Sequence, residues 1–271
     1  MVRNAQTPKE ATVTPLSRTL PNWSPEAIVF DCDGTLMDTE RHWQDARTRT
    51  FRDFGLPTPP GFAERAKGVH YLDCGRLMAQ ETNKPDLASD LSTALLAHFM
   101  SLVAEDPLTM PGATEFVRLC WHRLPLAVAS NCPMEVVDES LLRAGLRRYF
   151  RHVVVPTVQQ DFDDSDAAPN DQAEQAVRPK PWPDVYSRAS SLCGVAPRSA
   201  LAIEDSLTGV ESASRAGLRV LGVGPLPKEG SGQADAWAPG LDSEQILSWL
   251  RMRVPVRATD SDEPRKNRGP A

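Results

Sequence analysis

Two aspartates one residue apart, Asp31 and Asp33, end the apolar run Ile28-Val29-Phe30 and are followed at once by Gly34 and Thr35. Side chains alternate along an extended chain, so both carboxylates reach the C-terminal end of a strand on the same side. Two acids that close are both ionised only when a cation shares the site. Hard oxygen ligands of this kind suit Mg²⁺. Asp, Gly and Thr are also turn residues, and a solvated turn explains this stretch, taken alone, equally well.

The elements that position these residues are predicted from periodicity. Strand-like apolar runs cover 27–30, 126–129, 153–155, 200–203 and 219–223. Trp43, Ala46, Thr50, Phe51 and Phe54 recur at helical spacing, as do Leu91, Leu95, Leu96, Phe99, Leu102 and Val103, with breaks at 55–61 and 83–85. Further helices are expected over 114–122, after Asn131 with Pro133 in the first turn, after Ser206 to about Ala216 with a stop at Gly217, and over 242–250 with Asp242 as cap and Gln245 three residues on. Strands alternating with helices predict an α/β fold: a Rossmann-like, three-layer parallel sheet with an inserted α-helical domain. The expected limits are a disordered tail over 1–22, a core over 23–39 and 108–254, a helical cap over 40–107, and a second disordered tail over 255–271. Residues 159–178 carry Asp161, Asp163, Asp164, Asp166, Asp171 and Glu174 and read as a flexible acidic loop without the calcium-loop pattern.

In such sheets the ligand site lies beyond the carboxyl ends of the strands. Asp31/Asp33, Ser130-Asn131 and Glu204-Asp205 are the polar ends of three apolar runs and should converge on one crevice. Three such ends make the plain turn a poor account of the first.

Composition narrows the function. A net charge of −6 over 271 residues without a long basic run argues against nucleic acid or an anionic membrane as partner. Five cysteines without C-x-x-C spacing indicate neither a zinc site nor a disulfide framework and fit a reducing cytoplasm. No secretory signal is recognisable, no apolar run is read as long enough to span a bilayer, and the Ser/Thr/Pro-rich N-terminus reads as a tail more readily than as an organelle-targeting segment. The nucleophile-elbow, Walker A and dinucleotide-binding patterns are all missing.

Asp31-Cys32-Asp33-Gly34-Thr35, Ser130-Asn131, Lys180-Pro181 with Asp184, and Glu204-Asp205-Ser206, in that order, resemble the motifs of the haloacid-dehalogenase-like phosphohydrolase superfamily over about residues 27–225. The helical insertion after the first motif resembles the cap of the branch holding phosphoglycolate phosphatase, sugar-phosphate phosphatases and β-phosphoglucomutase. True dehalogenases lack the second aspartate, so Asp33 points to phosphoryl transfer. The resemblance implies Asp31 as nucleophile, Asp33 as general acid and base, and Lys180, Ser130 and backbone N–H groups near Gly34 and Asn131 as donors to the phosphoryl oxygens. It implies Mg²⁺ held by Asp31, the Asp33 carbonyl and Asp205, with Glu204 a ligand or a support. Read blandly, Lys180 is a surface lysine and Ser130 a helix cap; Asp184 and Ser206 are taken as mainly structural.

Substrate choice falls to the cap, where Glu40, Arg41, Arg65, Lys67, Gly68, His70, Tyr71 and Arg76 are the candidates, with His42 and Trp43 more readily explained as surface and packing. Their polarity suits a small phosphorylated metabolite, such as a sugar phosphate or phosphoglycolate. Hydrolysis is the leading expectation, by a monomer or homodimer. A sugar phosphomutase is the alternative: Lys67-Gly68-Val69 resembles β-phosphoglucomutase, but Tyr71 stands where that enzyme has a phosphate-binding arginine, leaving Arg65 or Arg76 to replace it. A non-catalytic scaffold recruiting a partner through the acidic loop is the third reading.

Overall fold

The computed structural model describes residues 20, 23–106, 108–157, 176–227 and 233–254. The acidic loop apart from 176–178, the N-terminal tail apart from residue 20, and all of the C-terminal tail lie outside them. Among the described residues one sheet has six strands, all parallel: β1 (Ala27–Phe30), β2 (Leu126–Ala129), β3 (His152–Val154), β4 (Ala200–Glu204), β5 (Arg219–Val223) and β6 (Ala236–Ala238). Their order is β3-β2-β1-β4-β5-β6, which puts the strand carrying Asp31 at the centre between those leading to Ser130 and Glu204. In-register pairing of Phe30 with Val128 and with Ile203 brings the three polar strand ends to one level.

Alternation along the strands supplies a core on each face. Ile28 and Phe30 point to one side, where Phe30 meets Phe116 and Phe150 edge-on at 5.8 and 5.7 Å. Val29 points to the other, against Val185, Ala189, Val210 and Ala213. The first face is covered by α5 (Ala113–Cys120), α6 (Met134–Arg143) and α9 (Glu244–Arg253), and the second by α7 (Asp184–Leu192) and α8 (Leu207–Arg215).

Between β1 and α5 lies the helical insertion: α1 (Glu40–Asp53), α2 (Phe62–Ala66), α3 (Tyr71–Glu81) and α4 (Ala88–Glu105). Its core is Phe51, Phe62, Met78, Leu91, Leu95 and Phe99, and Trp43 stacks on Phe99 at 3.7 Å. The segment Pro85–Glu105 is long and apolar enough by composition to cross a membrane, contrary to the sequence expectation. Here it packs Leu91, Leu95, Phe99, Leu102 and Val103 within the insertion, while Asp90, Ser101 and Glu105 face outward.

Three local expectations are corrected. Strand β6, only Ala-Trp-Ala, was not foreseen, because three residues show no periodicity; Trp237 occupies the space over Gly222 and its indole donates to Gly224 O at 2.8 Å. The last helix begins after Ser243 rather than at an Asp242 cap, and no side chain caps it. Pro133 stands just before α6 as its N-cap residue instead of inside the first turn.

Candidate active site

Backbone geometry delivers the first motif. Past Phe30 the chain turns, Gly34 takes φ +84°, and Gly34 N–H donates to Met37 O at 2.7 Å. A side chain at residue 34 would also strike the Asp205 carboxylate at 2.5 Å, so glycine is needed twice over. Gly34 therefore leaves room for the Asp205 carboxylate and does not line the cavity.

Asp31 is buried and accepts from Lys180 Nζ at 2.5 Å. The same ammonium donates to Glu204 Oε1 at 2.5 Å and to Tyr186 Oη at 3.4 Å. Glu204 is fully buried, and its oxygens are saturated. Oε1 takes Lys180 and the Tyr186 hydroxyl at 2.7 Å; Oε2 takes the Asp205 and Ser206 N–H groups and the Ser206 hydroxyl at 3.1–3.2 Å. Glu204 thus holds Lys180 and the Asp205-Ser206 turn in place, and Gly209 leaves room for its carboxylate. Burial and the neighbouring Glu204 push the Asp31 carboxyl well above its usual range, against the pull of Lys180. Burial pulls the Lys180 ammonium down, yet Asp31 and Glu204 outweigh it and leave its pKa raised.

Both oxygens of Asp33 are held: Oδ1 accepts from the Thr39 hydroxyl at 2.6 Å, and Oδ2 from the Cys132 thiol at 2.9 Å. Ser130 is fully buried behind them. Its hydroxyl lies 3.4 Å from Asp33 Oδ2 and accepts the Cys132 N–H at 3.0 Å, so it faces Asp33 and the turn rather than the cavity. Asn131 joins three segments, accepting Lys180 N–H at 2.8 Å and donating to Lys180 O at 3.3 Å and to Gly68 O at 3.5 Å.

The insertion closes over this floor. Lys67 Nζ reaches Asp205 Oδ2 at 2.9 Å, and Gly68, at φ +71°, lies so close to Ser206 that a Cβ there would sit 2.8 Å away. The resulting cavity is lined from the core by Asp31, Asp33, Asn131, Cys132, Lys180, Asp205 and Ser206, and from the insertion by Glu40, Trp43, Arg47, Lys67, Gly68, Val69 and Tyr71. Burial raises Asp205 to about 6 despite Lys67. Burial pulls Lys67 down, but Asp205 more than compensates.

Other expected residues are not brought here. His70 is buried beside the cavity as the cap of α3, its Nδ1 accepting Leu72 N–H at 3.4 Å, and burial lowers its pKa to about 4. Arg41, Arg65 and Arg76 make surface ion pairs with Asp106, Glu81 and Asp73. Asp184 holds Arg178 through its backbone and guanidinium at 2.8–2.9 Å, a structural clamp. Sequence reasoning missed Arg47, Thr39, Cys132 and Tyr186. Thr39 and Cys132 lie within or beside the motifs and their polar side chains were the available signal; Arg47 and Tyr186 sit inside helices, where spacing gave none.

One oxygen each of Asp31, Glu204 and Asp205 fall within 4.8 Å of one another. This buried cluster of carboxylates suits a divalent cation: its donors are hard oxygens, and burial raises two of the acids above their usual range.

The profile of the haloacid dehalogenase-like hydrolases matches residues 25–217. A phosphorylated carbohydrates phosphatase of Thermotoga maritima is 28% identical over 232 residues, covering 83% of this chain and 98% of that protein. The crystal structure of β-phosphoglucomutase from Clostridium difficile superposes with a TM-score of 0.67 over 83% of this chain and 96% of its own, at 17% identity, a likeness of fold. A Thermotoga maritima structure provisionally called a β-phosphoglucomutase gives 0.59 at 26% identity, over 84% and 99%.

Proposed function

The chain belongs to the haloacid dehalogenase-like hydrolases, and on that premise we propose that it moves the phosphoryl group of a small phosphorylated sugar through an aspartyl-phosphate on Asp31. The observation that carries this reading is the Asp31 carboxylate, buried in the floor of a closed cavity with Lys180 at 2.5 Å and Asp33 lining the same space. An Asp31 oxygen attacks phosphorus as the bond to the sugar oxygen breaks, and one hard displacement becomes two easier ones. Asp33, aimed by Thr39 and Cys132, gives its proton to the leaving oxygen and then takes one from the incoming hydroxyl. Lys180 and Lys67 offset the negative charge that gathers around the phosphoryl oxygens. Asp31 and Asp205, with the Asp33 carbonyl, would hold Mg²⁺, whose contribution when bound is to neutralise phosphoryl charge. Glu204, saturated by five donors, serves as their support.

Two acceptors fit. A sugar hydroxyl makes the protein a mutase, a reading supported by the Thermotoga likeness to a β-phosphoglucomutase and by a buried cap guanidinium, Arg47, in place of the surface-paired Arg65 and Arg76. Water makes it a phosphatase, the activity named for the carbohydrate phosphatase relative. Following an aldose 1-phosphate with Mg²⁺ and a trace of sugar bisphosphate by ³¹P NMR decides between them. Interconversion of 1- and 6-phosphates without inorganic phosphate establishes the mutase, and stoichiometric inorganic phosphate establishes the phosphatase. Undiminished turnover of either kind by Asp31→Asn would sink both.

A further inference from the structure

Tyr186, on α7, is fully buried in the second core with Val29, Val185, Ala189 and Val210, and it does not line the cavity. Packing among these side chains asks only for a ring, which phenylalanine supplies without a polar atom; a buried hydroxyl is costly unless it is bonded. Here the hydroxyl donates to Glu204 Oε1 at 2.7 Å, beside the Lys180 ammonium at 2.5 Å. The two donors fill both lone pairs of that oxygen. The same ammonium stands over the Tyr186 ring, 5.0 Å from its centroid. Lys180 is thereby shared, with Asp31 and Glu204 each holding it at 2.5 Å. Two buried carboxylates compete for one ammonium, and the one better neutralised by other donors pulls it less. Apart from Lys180, Tyr186 is the one side-chain donor to Glu204 Oε1 among the described residues.

We infer that Tyr186 is a positioning residue for phosphoryl transfer: its hydroxyl takes up part of the Glu204 charge and so leaves Lys180 on Asp31, in the cavity wall where phosphoryl charge gathers. Without the hydroxyl, Glu204 Oε1 keeps one donor and draws the ammonium to itself, away from Asp31. The inference rests on the phosphoryl-transfer reading and adds to it a residue that touches neither the substrate nor the reacting atoms.

Tyr186→Phe keeps the ring, its packing and its face toward Lys180, and removes only the hydroxyl. With Mg²⁺ present, p-nitrophenyl phosphate and glucose 6-phosphate serve as aryl and alkyl probes. The saturating single-turnover rate should fall about 3–30-fold, part of the range for a lost bond to a charged group, at a half-saturating concentration unchanged within about twofold. Both probes should lose the same factor, because Lys180 acts on the phosphoryl oxygens and not on the leaving oxygen that Asp33 serves. In a Glu204→Gln background, where no full charge competes for Lys180, Tyr186→Phe should cost less than about twofold. A hydroxyl that served the fold alone would lower Tm and leave these rates unchanged. A crystal structure of Tyr186→Phe reads the position directly: Lys180 Nζ should stand beyond hydrogen-bond distance from Asp31 and remain on Glu204. That displacement upholds the role of Tyr186 even if the native chain turns over neither probe, in which case the phosphoryl-transfer reading alone falls. Native rates in Tyr186→Phe, an equal loss in the Glu204→Gln background, or a Lys180 still bonded to Asp31 in the variant overturns it.

Discussion

At the scale of single residues, the grip on Asp33 is the most informative feature. The proposed mechanism makes Asp33 the general acid, which must present one proton at one position, and Thr39 and Cys132 fix one oxygen each. A thiol is a weak donor, and burial together with Asp33 pushes the Cys132 thiol far up, so it stays protonated and donating. Cys132→Ala is expected to lower kcat with alkyl phosphates about 2–10-fold at unchanged KM, a fraction of a full general-acid effect. Aryl phosphates should lose less, and Cys132→Ser should restore the rate; steady-state kinetics with both leaving groups checks this. His70 supports a pH prediction. Its neutral ring accepts the Leu72 N–H, and burial holds its pKa at about 4 against 6.5 for a free ring. The unfolded chain therefore binds a proton below pH 6.5 that the folded chain refuses until about pH 4. The stability is complete above 6.5 and is lost as the pH falls through that window, by about 1–3 kcal/mol. His70→Asn keeps an acceptor that does not titrate, so urea unfolding at pH 7 and pH 4.5 should show the native chain losing more stability than the variant. Parallel losses would mean that the ring titrates normally.

At the scale of elements, the closed insertion rests on small contact points. Gly68 lies between Lys67, which bridges to Asp205, and Val69 in the cavity wall, and its lack of a side chain lets it approach Ser206. Gly55 shares the left-handed backbone, at φ +63°, but a Cβ there meets nothing within 4 Å. Alanine at either position carries the same left-handed strain, about 1–2 kcal/mol. Only Gly68→Ala also wedges the insertion away from the core, so it alone should lower kcat/KM, by about tenfold or more, because water exclusion and placement of the cavity wall depend on closure. Matched thermal melts and rates of the two variants test this, and equal rates would show that the Gly68 approach is not needed for turnover.

At the scale of the whole molecule, the buried carboxylates of the central strands repel one another across one crevice, and burial raises Asp31 and Asp205 above their usual range. A cation that binds only the folded chain relieves this and stabilises by mass action, about 2.7 kcal/mol at a hundredfold excess over Kd. Mg²⁺ is therefore expected to raise Tm by about 5–10 °C for a chain of this size, and Asp205→Asn to abolish most of that shift. A calorimetric scan with and without Mg²⁺ reads it directly, and an unchanged Tm in the native chain would remove the metal from the proposal.

The parallel α/β order, the helical insertion and the meeting of Asp31, Asp33, Asn131, Lys180 and Asp205 were legible in the chain. Apolar periodicity places strands, and parallel strands in register must present their polar ends on one edge; Lys180 ends no such run and was legible only through the family resemblance. Tertiary structure alone decided which polar groups face the cavity and which support it. Ser130, Gly34 and Glu204 belong to motifs by sequence, yet packing turns them toward Asp33, Asp205 and Lys180. His70 and the arginines 41, 65 and 76 were as plausible for the cap as Arg47, because a helix gives every face the same residue types to choose from. Only the rotation of α1 against the core, set by burying Ala46, Thr50 and Phe51, directs Arg47 inward. Helical rotation and closure depend on contacts between residues far apart in the chain, and local spacing carries no record of them.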